Sequence, residues 1–153
     1  MGINFTKSNG QYHQSGVLNE GADFNKLFSL EPDTLVLNFR STWRLNSTAI
    51  RHWCDAVRAY PNLKIELHEC SREVIDQCNL IPGFLAGGRV KIVSFFVDFY
   101  CDADETDKRV MIIAGKHYEY GKGVFKLPNV RCDECAGLIG MEDFPEKYFN
   151  FLK

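Results

Sequence analysis

Two residues separate Cys132 from Cys135, a spacing that brings two thiolates within reach of one metal ion. Cys101 supplies a third soft donor upstream. Asp104 is the natural fourth, because a carboxylate oxygen is an accepted zinc ligand; His117 is the other candidate for that place. Four donors in tetrahedral geometry define a structural zinc site, so Cys101, Asp104, Cys132 and Cys135 together predict one. The segment around them is composed of short strands with little core of its own, and a metal can stand in for a core. Two alternatives stay open: thiols without metal, packed or exposed, and a Cys132–Cys135 disulfide. Thiol-exchange catalysis is disfavoured. A redox CxxC usually sits just ahead of a helix in a thioredoxin-like βαβ unit, whereas Ala136-Gly-Leu-Ile-Gly140 is a poor helix start.

A second group of interest is Asn46-Ser47-Thr48, at the opening of a helical pattern. A helix N-terminus offers free N–H groups and the positive end of the dipole, which suit an anion. Equally, Asn46 or Ser47 can serve as an ordinary N-cap, which stabilises a helix by about 0.5–2 kcal/mol. Trp43 and Arg44 lie just upstream, with Arg40, Thr42 and Arg51 close by. An exposed Trp flanked by Arg is a typical interface anchor; the alternative packs Trp43 on the core and leaves the arginines in solvent. Other constellations are weaker. Gly83, Gly87 and Gly88 form no phosphate-binding pattern. His13, His52, His68 and His117 are scattered, and His68 with Glu66 and Glu69 reads as the solvent side of a strand. The acidic run Asp102, Asp104, Glu105 and Asp107 lacks the glycine and spacing of a calcium loop. No nucleophile–base order has supporting context, and the expectation is a protein that is not an enzyme.

The elements that must position these groups follow from periodicity. Ile3–Lys7 and Gln11–Leu18 predict two strands joined by an Asn9-Gly10 hairpin. Phe24, Leu27 and Phe28 have helical spacing behind an Asp23 N-cap. Thr34–Phe39 is a near-continuous apolar run, the look of a strand buried on both faces in a parallel sheet covered by helices. Ile50, Trp53, Cys54, Val57 and Tyr60 mark one face of a helix that Pro61-Asn62 ends. Leu63–Leu67 alternates as a strand, Ser71 opens a helix bearing Val74, Ile75 and Cys78, and Val90–Tyr100 reads as one long apolar strand. Beyond it come an acidic turn, a short strand Val110–Ala114, a Gly- and aromatic-rich stretch Lys116–Lys126, and an amphipathic helix Phe144–Leu152 with Pro145 in its first turn. Strand–helix alternation of this kind argues for an α/β sandwich with a mostly parallel sheet.

Composition agrees with a globular protein. The 153 residues are 45% hydrophobic and 25% charged. A formal net charge of −2 provides no basic field for nucleic acid or anionic membrane. No apolar run reaches the roughly 18 residues of a membrane span, and Met1–Gly10 lacks the apolar core of a secretion signal. Cys54, Cys70 and Cys78 sit in apolar periodic segments as buried small residues, unlike a secreted disulfide framework. The expected location is cytoplasmic.

Leu35–Phe39, Leu45-Asn-Ser-Thr-Ala-Ile50, Ile65-Glu-Leu67, Cys70-Ser71 and Asn79-Leu-Ile-Pro-Gly-Phe84, preceded by Gly16-Val-Leu-Asn-Glu20 and Ala22-Asp-Phe24, resemble a STAS domain, the fold of anti-sigma-factor antagonists and sulfate-transporter tails. The similarity spans residues 10 to 100 and rests on the order and spacing of the pieces. The C-terminal third resembles an extension of some bacterial STAS-like proteins that pairs two CxxC knuckles, ahead of a Pro-Glu-Lys-Tyr-Phe helix; here Asp104 stands where the first knuckle has its second cysteine. The resemblance implies a STAS-like domain over 1–100 and a zinc-ribbon-like extension over 101–153. It also implies a bacterial signalling role, in which a kinase or another signalling protein engages the start of the second helix and phosphorylates a serine there. That serine corresponds to Ser47, with Asn46 in the family's Asp position and Ala49 in its Gly position. The alternative is an assembly scaffold that forms homo-oligomers and has no phosphoswitch.

Overall fold

The computed structural model describes residues 5–119 and 125–152. The chain is an α/β protein with two sheets. Strands β1 (Phe5–Ser8) and β2 (Gln11–Leu18) form the expected hairpin, and Asn9 (φ 52°) and Gly10 (φ 76°) supply the two left-handed residues its turn requires. Ile3 of the expected first strand lies outside the described residues. Helix α1 (Phe24–Phe28) starts where Asp23 accepts from the Lys26 N–H at 3.0 Å. There follow β3 (Thr34–Leu45), α2 (Ser47–Ala59), β4 (Lys64–His68), α3 (Arg72–Leu80) and β5 (Val90–Ile92). The first sheet has the order β1-β2-β3-β4-β5, antiparallel at β1–β2 and parallel elsewhere.

One face of this sheet is apolar. Register places Leu35 beside Ile65 and Leu37 beside Leu67, and these continue into Val90 and Ile92; all are at most 1% exposed. Trp53 of α2 closes over them, its ring 6.3 Å from Phe39 and within 5.5 Å of Phe24, Phe28 and Phe84, while its indole N–H donates to the Phe84 carbonyl at 2.9 Å. The opposite face differs from expectation. The apolar run 34–39 predicts burial on both sides, but the second side carries the polar row His13, Asn38 and His68 in register. Asn38 is buried there by hydrogen bonds to Gln11 and Glu69. Strand β3 also runs past Phe39 to Leu45, because two register shifts against β2 turn Thr42 inward and leave Trp43 out.

The long strand expected over Val90–Tyr100 is two strands in different sheets. Val93 is the switch: its N–H donates to Leu67 of the first sheet at 2.8 Å, and its carbonyl accepts from Ala114 at 2.8 Å. Apolar residues on both sides of Val93 hide this break from periodicity. β6 (Ser94–Cys101) then pairs antiparallel with β7 (Thr106–Ile113), so the turn expected over Cys101–Lys108 shrinks to the hairpin tip at 102–105 and the rest of it is strand. β8 (Val130–Arg131) and β9 (Leu138–Met141) complete a second sheet of order β7-β6-β9-β8. The C-terminal segment is not one helix but a single turn, α4 (Pro145–Tyr148), tightened into a 3₁₀ turn at Asn150–Leu152. This arrangement buries Tyr148, Phe149 and Leu152 together. Phe95 of β6 lies among Tyr118, Tyr148, Phe149 and Phe151 at ring distances of 5.2–6.1 Å. Asn79 of α3 donates to the Tyr148 carbonyl at 2.9 Å, and Arg72 pairs with Asp143 at 2.7 Å.

Both sheets and the tail therefore meet at Phe95. Phe95→Ala is expected to lower stability by about 3–5 kcal/mol in urea denaturation. Trp fluorescence, which reports the first sheet through Trp53, and far-ultraviolet dichroism should then shift by the same midpoint.

Candidate functional site

Cys101 and Asp104 occupy the tip of the β6–β7 hairpin, and Cys132 and Cys135 occupy the tip of β8–β9. The two tips are alike. In each, the residue after the second donor is left-handed, Glu105 at φ 51° and Ala136 at φ 60°, and this turns the chain back into the returning strand. Neither residue is glycine, so the shared geometry carries no composition signal and is invisible in the sequence. Lys108 ties the tips together, donating to the Arg131 carbonyl at 3.1 Å and the Asp133 carboxylate at 2.7 Å.

The side chains converge. One donor atom from each of Cys101, Asp104, Cys132 and Cys135 lies within 4.8 Å of all the others. Asp104 Oδ2 is 3.2 Å from Cys132 Sγ and 3.6 Å from Cys101 Sγ, and Cys101 Sγ is 3.7 Å from Cys135 Sγ. A tetrahedral metal with bonds of about 2.0–2.3 Å spaces its ligands at about 3.3–3.8 Å. The cluster can therefore hold a metal ion with little movement. Among the described residues it is the one group of three or more such donors close enough to do so.

The electrostatics point the same way. N–H groups of Cys135 and Glu134 aim at the Cys132 sulfur and pull its thiol below the ordinary range. The Gly137 N–H acts likewise on Cys135, but hydrogen bonds from its protonated form to Asp104 and Cys101 prevail and hold that thiol up at about 12. Hydrogen bonds from Cys135 and Cys132 lower Asp104 in turn. Protons shared among three sulfurs and a carboxylate are what a cation displaces on binding. Cys132 and Cys135 are free thiols, so the disulfide alternative is not what the structure holds. His117 is not the fourth donor. Its Nδ1 accepts from the Ile113 N–H at 2.9 Å, inside the turn after β7.

The other candidate residues lie on the first sheet. Asn46, rather than Ser47, is the N-cap of α2: Oδ1 accepts from the Ala49 N–H at 2.8 Å, and Nδ2 donates to Glu20 at 2.8 Å. Ser47 is exposed at the first helical position and Thr48 is half-buried. Trp43 is 61% exposed, its indole nitrogen near Gly16, and Arg44, next to it in sequence, and Arg51 on α2 are exposed too. Arg40 pairs with Glu69 at 3.1 Å and lies over the Phe96 ring. The alternative that packs Trp43 on the core is thus not realised.

Comparison with known proteins finds no matching family model, curated protein or solved structure.

Elemental analysis of the purified chain is expected to find one metal ion per molecule, lost in Cys132→Ser and retained in His117→Ala. Burial, helped by Lys116, lowers the His117 pKa from its ordinary 6.5. The folded state then binds this proton less readily than the unfolded state. The stability His117 contributes is present above about pH 6.5 and is lost as the pH falls through the folded pKa. In urea midpoints measured from about pH 7.5 to 5.5, the wild type should lose stability more steeply than His117→Asn, which keeps an acceptor but does not titrate; parallel slopes would rule this out.

Proposed function

We propose that the chain is a STAS-like regulatory module that binds a signalling protein, resembling an anti-sigma-factor antagonist, and that its zinc-ribbon-like extension holds one structural zinc ion. The observation that carries the binding reading is the surface at the start of α2. Trp43 is exposed on the bulged end of β3, and Arg44 next to it in sequence and Ser47 and Arg51 on α2 are exposed as well. A large aromatic held out by the backbone, with an exposed Arg next to it in sequence, has the make-up of an interface anchor. The supporting fold feature is a hairpin leading into parallel strands, with α2 entered directly from the central β3.

Phosphorylation of Ser47 would place about −1.5 to −2 charges at the positive end of α2, between Arg44 and Arg51, and change what can dock there. Asn46 supplies the cap without a negative charge of its own, and Ala49 is packed inward at 1% exposed. Zinc suits the donor set: three thiolates and a carboxylate in tetrahedral spacing satisfy a borderline-soft ion with no demand for redox chemistry. Its role is to clamp the β6–β7 tip to the β8–β9 tip. A second reading, self-association as a scaffold, draws on Leu80 and Phe144, which are 70% and 79% exposed and line one groove between α3 and α4.

Affinity capture from the source cells, read by mass spectrometry, separates these readings. Wild type is expected to retain a kinase-like or sigma-regulatory protein that Ser47→Glu and Trp43→Ala lose. Recovery of the same proteins with all three baits, or of additional bait alone, would move the assignment to the scaffold.

A further inference from the structure

We propose that the zinc held by Cys101, Asp104, Cys132 and Cys135 is exchangeable, entering and leaving on the Asp104 side, so that occupancy of the extension follows available zinc. This rests on the zinc reading above. The four donors divide by depth. Cys101 and Cys132 are 4% and 5% exposed and would grip the ion from within the hairpins. Cys135 is exposed and Asp104 partly so, and these two close the solvent side. A site walled by four thiolates would present only sulfur to solvent. Here one of the two outer positions is a hard carboxylate oxygen, the donor most easily replaced by the oxygen of water or of a competing chelator.

The exchange step balances simply. The metal–oxygen bond to Asp104 breaks and an oxygen or nitrogen donor of the acceptor takes its place. The three thiolates then pass the ion on, and protons return to the sulfurs as it leaves. No oxidant or reductant is needed. Backbone strain does not force the choice of aspartate. The tip holding Asp104 turns through Glu105 as the tip holding Cys135 turns through Ala136, so a cysteine is accommodated at either position. Aspartate at 104 therefore sets the chemistry of the site rather than its shape.

The test uses the full chain loaded with one equivalent of zinc, and follows transfer to a chromogenic pyridylazo chelator in wild type, Asp104→Cys and Asp104→Asn. Outer-shell partners alone alter metal affinity by about 10–100-fold, so replacing a ligand should move the release rate by roughly tenfold or more. Release is expected to be slower in Asp104→Cys and faster in Asp104→Asn. Equal rates in all three would overturn the inference while leaving the zinc reading intact. Failure of the wild type to retain zinc would instead remove the zinc reading itself. Cobalt substitution checks the cysteine variant, whose thiolate charge-transfer absorption should rise as three sulfurs become four. If that variant does not form the four-thiolate site, Asp104→Asn decides alone, an unchanged rate counting against the proposal.

Discussion

The backbone of Val93 is hydrogen-bonded into two sheets at once, its N–H to Leu67 and its carbonyl to Ala114. Most of what is distinctive in this protein depends on that constraint. A strand that simply continued would add length to the parallel sheet. By changing partners at one residue, the chain sends β6 away as the central element of an antiparallel sheet. The same strand then carries Phe95 into the shared core at one end and Cys101 to the hairpin tip at the other. Packing and site geometry are thus linked through one eight-residue strand.

The far end of that strand has little apolar support. β8 has two residues and β9 four, and only Val130 of the two is buried. A short antiparallel pair of this size is marginal by itself in water. The side chains that converge there are donors rather than hydrocarbon, and a cation could satisfy them in a way that hydrophobic contact cannot. The near end needs no such help, because the tail rings around Phe95 and the Arg72–Asp143 pair fasten it to α3. Dispersion and burial hold one end of the second sheet, and coordination chemistry suits the other.

The first sheet solves a different problem, that of keeping a large aromatic side chain out of the core. Trp53 and Trp43 are only ten positions apart, yet one is 2% and the other 61% exposed. Trp53 faces the core from α2, whereas on β3 the first register shift against β2 exchanges the inward and outward sides ahead of Trp43, which falls unpaired at the second. The left-handed Gly16 (φ 91°) lies next to the second shift, where Trp43 crosses the strand pair.

Much of this was legible in the residues alone. The Asn9-Gly10 turn, the Asp23 cap, the helical stripe containing Trp53 and the Cys132–Cys135 spacing are local facts. They depend on spacing within a few residues and on the intrinsic preferences of side chains. What tertiary structure decided was everything set by non-local pairing. Periodicity does not distinguish one apolar strand from two joined at Val93, because both halves are buried. It does not locate the bulges that expose Trp43, since these arise from pairing with β2. It cannot choose Asp104 over His117, because both are adequate donors and only the fold brings Asp104 to the cysteines while giving His117 to the Ile113 N–H. Chemistry that lies within a turn is written in the sequence; chemistry that needs two turns to meet is fixed only when the strands that carry them have paired.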